Sequence, residues 1–108
     1  MYYKLVDKKV TRCATAREWH EWFEAATQSG ERFVAQDEVG AIEVSTFFVG
    51  ADTNSGQAGQ LKLFETVVFD KGGKEVAALN AQYKTWNGAA EGHRAVLRKL
   101  RNQTSGIE

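Results

Sequence analysis

The sequence predicts an α+β fold: an antiparallel sheet of about four to six strands with two amphipathic helices packed on one face, in the order β-β-α-β-β-β-β-α. Three observations carry this. Trp19, Trp22, Phe23 and Ala26 recur at three- and four-residue spacing behind a threonine cap. A second helical stripe, Ala89, His93, Val96, Leu97 and Leu100, closes the chain. Between them lie runs of β-branched and aromatic residues punctuated by glycine turns.

The elements follow in order. Residues 2–6 (YYKLV) are strand formers, Asp7-Lys8-Lys9 is a polar turn, and Val10–Cys13 returns as a second short strand. Thr15-Ala16-Arg17-Glu18 fits a capping box, with the hydroxyl accepting from the third amide and the glutamate reaching back to the Thr15 N–H. Glu18, Glu21, Glu24 and Gln28 fall mainly on the polar side, and Ser29-Gly30 ends the helix. Arg32–Asp37 and Ala41–Val49 read as strands, with Val39-Gly40 either a turn between them or a bulge through which the strand continues. Gly50–Gln60 is a polar, glycine-rich loop. Leu61–Asp70 is the strongest strand, and Lys71-Gly72-Gly73-Lys74 is a tight hairpin turn. Glu75–Tyr83 returns as a strand, although its alanines also suit a short helical turn. Thr85 caps the last helix, Trp86 stands at its entry, and basic residues in its final turns suit the negative end of the helix dipole. The single domain spans residues 1–102, with 103–108 as a flexible C-terminal tail.

Composition narrows the function classes. The chain has 108 residues, 43% of them apolar, enough for one core without disulfides or metal. Fourteen basic and fourteen acidic residues balance to zero formal charge, which argues against a strong grip on nucleic acid or an anionic membrane. One cysteine, Cys13, excludes an internal disulfide and fits a reducing, cytoplasmic setting. No run is long and apolar enough for a signal peptide or a membrane span. Proline is absent.

Several residues could carry chemistry. Glu43 and Glu65 sit in central strands and could share a sheet face as an acid/base pair, with His93 as a third group. The plainer alternative places the glutamates in structural hydrogen bonds and His93 against a backbone carbonyl. His20 and Glu24, one turn apart, pair on an exposed helix face; two ligands do not make a metal site. Asp52, Thr53 and Asn54 make the 50–60 loop a candidate binding loop, but it matches neither a phosphate-binding loop nor a calcium loop. Arg94, Arg98, Lys99 and Arg101 form a basic patch. No motif implies a metal or a cofactor.

Four stretches together are distinctive: Glu18-Trp19 to Trp22-Phe23-Glu24, Val44-Ser45-Thr46-Phe47-Phe48-Val49-Gly50, Leu63-Phe64-Glu65-Thr66-Val67-Val68-Phe69, and Tyr83-Lys84-Thr85-Trp86 with Ala90 and Gly92-His93. Over about residues 15 to 97 the chain resembles a family of small uncharacterised proteins of bacteriophages, prophages and bacterial genomes. In that family the loop after the second central strand often carries an Asp-His pair and a proline turn; here it reads Ala51-Asp52-Thr53, with neither. The resemblance implies a phage- or prophage-type accessory protein in the host cytoplasm. It would act by binding a host or defence-system macromolecule, with a protein the leading partner class and a homodimer an open alternative, while the balanced charge disfavours nucleic acid. The alternative is a small enzyme or ligand-binding domain using Glu43, Glu65 and His93.

Overall fold

A computed structural model describes residues 1–51 and 62–106, with side chains described through Asn102. The fold is α+β. β1 (Tyr3–Val6) and β2 (Lys9–Arg12) form a two-stranded antiparallel hairpin, followed by α1 (Ala16–Ser29). β3 (Phe33–Val39), β4 (Ile42–Phe48), β5 (Phe64–Phe69) and β6 (Ala81–Tyr83) form a second sheet in the order β3-β4-β5-β6, antiparallel throughout. α2 (Trp86–Gly106) packs against all four of its strands and runs to Gly106, past the boundary at residue 102 that the sequence suggests.

Residues 75–83 divide between the two readings they allowed. Glu75 bridges Phe69, Ala77–Leu79 form one 3₁₀ turn, and only Ala81–Tyr83 pair as a strand. The alanines have little side chain to pack on a pleated surface.

Strand register decides which side chains face the helices. Val44, Thr46 and Phe48 of β4 stand opposite Val68, Thr66 and Phe64 of β5 on the inner face. A register shift between Phe33 and Ala35 turns Val34 inward as well, and Ala35, Asp37 and Val39 follow on that face. Val44 and Val68 meet Val96, Leu97 and Leu100 of α2. Phe48 and Phe64 meet Tyr3, Leu5 and Ala89.

A run of aromatic contacts joins the layers. Trp22 of α1 meets Phe48 edge-on at 5.5 Å, Phe48 meets Phe64 at 5.0 Å, and Phe64 meets Trp86 of α2 at 6.4 Å. Such pairs add about 0.5–1.5 kcal/mol each beyond burial. Trp19, expected in the same core stripe, instead packs on Tyr2 at 5.2 Å and Phe23 at 4.9 Å. Its Nε1 is buried with no hydrogen-bond partner among the described residues.

The start of α1 modifies the capping box. The Glu18 amide donates to Thr15 Oγ1 at 3.1 Å, but the Glu18 carboxylate accepts from the Ala14 N–H, one residue earlier than the box requires. Its other oxygen pairs with Lys4 of β1 at 2.8 Å, tying helix to hairpin. The Lys4 ammonium, then the Ala14 amide, hold the Glu18 carboxyl below its ordinary range, while the same bond raises Lys4.

Gly50 joins hairpin, helix and sheet. The Tyr3 amide donates to its carbonyl at 2.7 Å. Its φ of +78° lies in the left-handed region, and a Cβ there would strike the Tyr3 carbonyl, the Phe48 ring and Trp19 Nε1. Gly50→Ala should therefore lower stability by about 3 kcal/mol or more, read by urea unfolding. Glu18→Gln should also destabilise. Because the Glu18 pKa is depressed, its contribution is present at neutral pH and lost as pH falls through the lowered value. The gap between the two urea midpoints should close in acid.

Candidate functional site

His93 enters from α2 onto the inner sheet face, where its side chain is 2% exposed. Its Nδ1 lies 2.7 Å from Thr46 Oγ1. The Thr46 and Thr66 hydroxyls hydrogen-bond across β4 and β5 at 2.5 Å, and Thr66 donates to the Tyr83 hydroxyl at 3.2 Å. On the other side of the ring, Nε2 lies 2.8 Å from Asp37 Oδ2 of β3. One chain of hydrogen bonds thus runs Asp37–His93–Thr46–Thr66–Tyr83 through every strand of the larger sheet. Gly92 lets it close, since a Cβ there would overlap the Tyr83 ring.

Each hydroxyl has one proton, which couples the links. With Thr66 donating to Tyr83, Thr46 donates to Thr66, and Nδ1–H donates to Thr46. Nε2 lies against the Asp37 carboxyl group. Reversing all three hydroxyls suits a neutral ring that keeps its proton on Nε2. The residue types match a nucleophilic triad of carboxylate, imidazole and hydroxyl. Access does not: Thr46 and Thr66 are both 0% exposed, so no substrate reaches either oxygen. Solvent reaches only the two ends of the chain, Asp37, with its side chain 47% exposed, and the half-buried Tyr83. The arrangement satisfies buried polar groups and fixes α2 on the sheet.

The three residues singled out for acid/base work do not converge. Glu43 and Glu65 do share a face, but it is the outer one, opposite His93. There Glu43 stands across from Phe69 and Glu65 across from Phe47. That offset of four residues separates them by about 13 Å along the strands. Neither carries an ion pair or hydrogen bond among the described residues, so the structural bonds considered for them are not seen. His93 is bonded, but to Thr46 and Asp37 side chains rather than to a backbone carbonyl. His20 pairs with Glu24 at 3.4 Å on an exposed helix face. Asp52, Thr53 and Asn54 lie outside the described residues. Arg94, Arg98, Lys99 and Arg101 line the exposed side of α2, Arg94 reaching Glu91 at 3.7 Å. Among the described residues no group of three or more His, Cys, Asp or Glu could hold a metal, and no helix is long and apolar enough to cross a membrane.

The outer sheet face has a different character. Its outward positions are Phe33, Gln36 and Glu38 on β3, Glu43, Ser45 and Phe47 on β4, Glu65, Val67 and Phe69 on β5, and Gln82 on β6. Phe33, Phe47 and Phe69 are half-buried and shield Ser45 and Val67 between them. Glu38 and Glu43 stand directly opposite one another, an unfavourable pairing for like charges. No outward position holds a cation. Arg32, just before β3, lies against the edge of this face: its guanidinium stands 4.7 Å from the Phe33 ring, 5.2 Å from Phe47 and 4.3 Å from Phe23, and it donates to the Phe48 carbonyl at 3.0 Å. Burial lowers its pKa.

No protein-family model, curated protein or solved structure matches this chain. What it does must be read from its own residues.

The sequence reading missed Asp37, Thr46, Thr66 and Tyr83 as partners of His93. Period-two alternation places Thr46 with Val44 and Phe48, and Thr66 with Phe64 and Val68, so both threonines were legible as inward. Asp37 was not, because the bulge before Ala35 shifts its parity.

Two valine substitutions test the chain. Thr46→Val leaves both His93 Nδ1 and Thr66 short of a partner and should cost about 1–3 kcal/mol in urea unfolding. Thr46→Val with Thr66→Val should cost less than the sum of the single changes, because the two residues share one network.

Proposed function

We propose that this is a small phage- or prophage-type accessory protein that acts by binding a host or defence-system protein through the outer face of its four-stranded sheet. One observation carries the reading. Around Phe47, Phe69 and Val67, the face holds Glu38, Glu43 and Glu65 with no cation at any outward position. Arg32 stacks on Phe33 and Phe47 at one edge, and the apolar anchors beside the three carboxylates suit a partner presenting apolar side chains among lysines and arginines. Such a partner would also relieve the Glu38–Glu43 opposition. The resemblance in sequence to phage and prophage proteins supports the setting, and the buried state of Thr46 and Thr66 supports binding over catalysis. A second copy of this chain suits the face less well, because it would bring acid against acid.

The test is charge reversal. Tagged full-length protein is used to capture partners from bacterial lysate, and an identified partner is then titrated against wild type and Glu43→Lys/Glu65→Lys. Binding through this face predicts at least about a tenfold loss of affinity in the variant, and weaker wild-type binding as salt rises. Equal affinity for the two proteins contradicts the reading. So does a wild-type dimer, seen by light scattering, that Glu43→Lys/Glu65→Lys dissolves.

A further inference from the structure

Two strand edges face outward. β2 ends the two-stranded sheet and β3 ends the four-stranded one, and no strand among the described residues covers either edge. Edges of this kind present unpaired backbone N–H and C=O groups.

The register identifies those groups. The Tyr3 amide donates to the Gly50 carbonyl, away from β2, and the Cys13 amide donates to the Tyr2 carbonyl. Alternation then turns the backbone groups of Lys4 and Val6 toward Thr11 and Lys9, and those of Val10 and Arg12 out of the hairpin. In the larger sheet the Phe48 amide donates to the Arg32 carbonyl, so Thr46, Val44 and Ile42 bond to Ala35, Asp37 and Val39. Gln36 and Glu38 therefore point their backbone groups out of β3. All four of these outward residues are exposed.

The two edges carry opposite charge. On β2, Lys9 and Arg12 are exposed, no acid is present, and neither cation has an ion pair among the described residues. β3 carries Asp37 and Glu38 and no cation. Asp37 is engaged with His93, but Glu38 has no bonded partner and stands across from Glu43.

We propose that β2 of one copy of this chain pairs antiparallel with β3 of a second copy in a weak, reversible self-association. With Val10 opposite Glu38 and Arg12 opposite Gln36, the outward groups of both edges meet, and each pair exchanges both of its hydrogen bonds. Arg12 then lies diagonally across from Glu38 on one face, and Lys9 diagonally across from Asp37 on the other, within reach of long side chains. Like edges repel. β3 against β3 in the matching register sets Asp37 directly opposite Asp37, and β2 against β2 sets Arg12 diagonal to Arg12. Each edge is guarded against its own kind and open to the other. Every copy carries both edges, so the contacts either close a dimer or continue head to tail. The outer sheet face takes no part, and this contact is independent of the partner proposed for that face.

Sedimentation equilibrium of the full chain at low salt, from about 0.05 to 2 mM, tests this together with amide hydrogen exchange by NMR. The average mass should rise with concentration and fall back as salt is added. Exchange at Val10, Arg12, Gln36 and Glu38 should slow about twofold or more over that range, while Thr11 and Asp37, already bonded within their own sheets, change little. Arg12→Glu and Glu38→Lys, each alone, should weaken association about fivefold or more. An equimolar mixture of the two variants should associate again, because the reversed β2 of one meets the reversed β3 of the other. Lys71→Glu, the same charge change in the turn after β5, should stay within about twofold of wild type. Circular dichroism identifies which variants are folded, and the exchange measurement on wild type needs none of them. The proposal is overturned by a mass that does not change with concentration, by protection that falls on other amides, by a mixture that associates no better than its components, or by an equal loss in Lys71→Glu.

Discussion

The hydrogen bonds of His93 set the relation between α2 and the sheet on which the rest of the structure depends. A buried imidazole without partners would be costly, so the ring must find acceptors and donors where it lands. It lands where Thr46 and Asp37 reach it, from neighbouring strands. The same contacts fix the depth and rotation of α2, which seats Val96, Leu97 and Leu100 on Val44 and Val68. They also bring Tyr83 over Gly92, closing the β6 edge under the helix. Apolar burial holds the layers together, and the polar chain selects one arrangement of them.

This brace divides the molecule into two faces with different work. The inner face is saturated: its hydroxyls, ring and carboxylate are used on one another. The outer face is not, since Glu38, Glu43 and Glu65 have no bonded partner among the described residues. Phe33, Phe47 and Phe69 stand half-buried beside those carboxylates, with Arg32 stacked on the first two. At the hairpin, Lys8 stacks on Trp86, which packs edge-on against Phe64 in the core.

Much of the fold was legible in the sequence, and the physical reasons are specific. The Thr15 cap, the spacing of Trp22 and Ala26, and the glycine turns are local signals, and local signals survive folding unchanged. The alternation of Val44, Thr46 and Phe48 also announced a central strand with one face inward. What was not legible depended on contacts far apart in the chain. His93 and Asp37 lie 56 residues apart, and their meeting requires both the bulge before Ala35 and the final docking of α2. The separation of Glu43 from Glu65 required the β4–β5 register, which the intervening loop length does not fix. Trp19 left the expected stripe because the hairpin, not the sheet, packs against that part of α1.

The account stands most directly on the claim that His93 is a closed structural brace rather than a solvent-reached group. Proton-exchange NMR on protein labelled with ¹⁵N in its histidine rings tests it. The ring N–H signals of His93 should be observable, hydrogen-bonded and slow to exchange, while those of exposed His20 are lost to rapid exchange with water. Comparable, rapid exchange at both histidines would contradict the account.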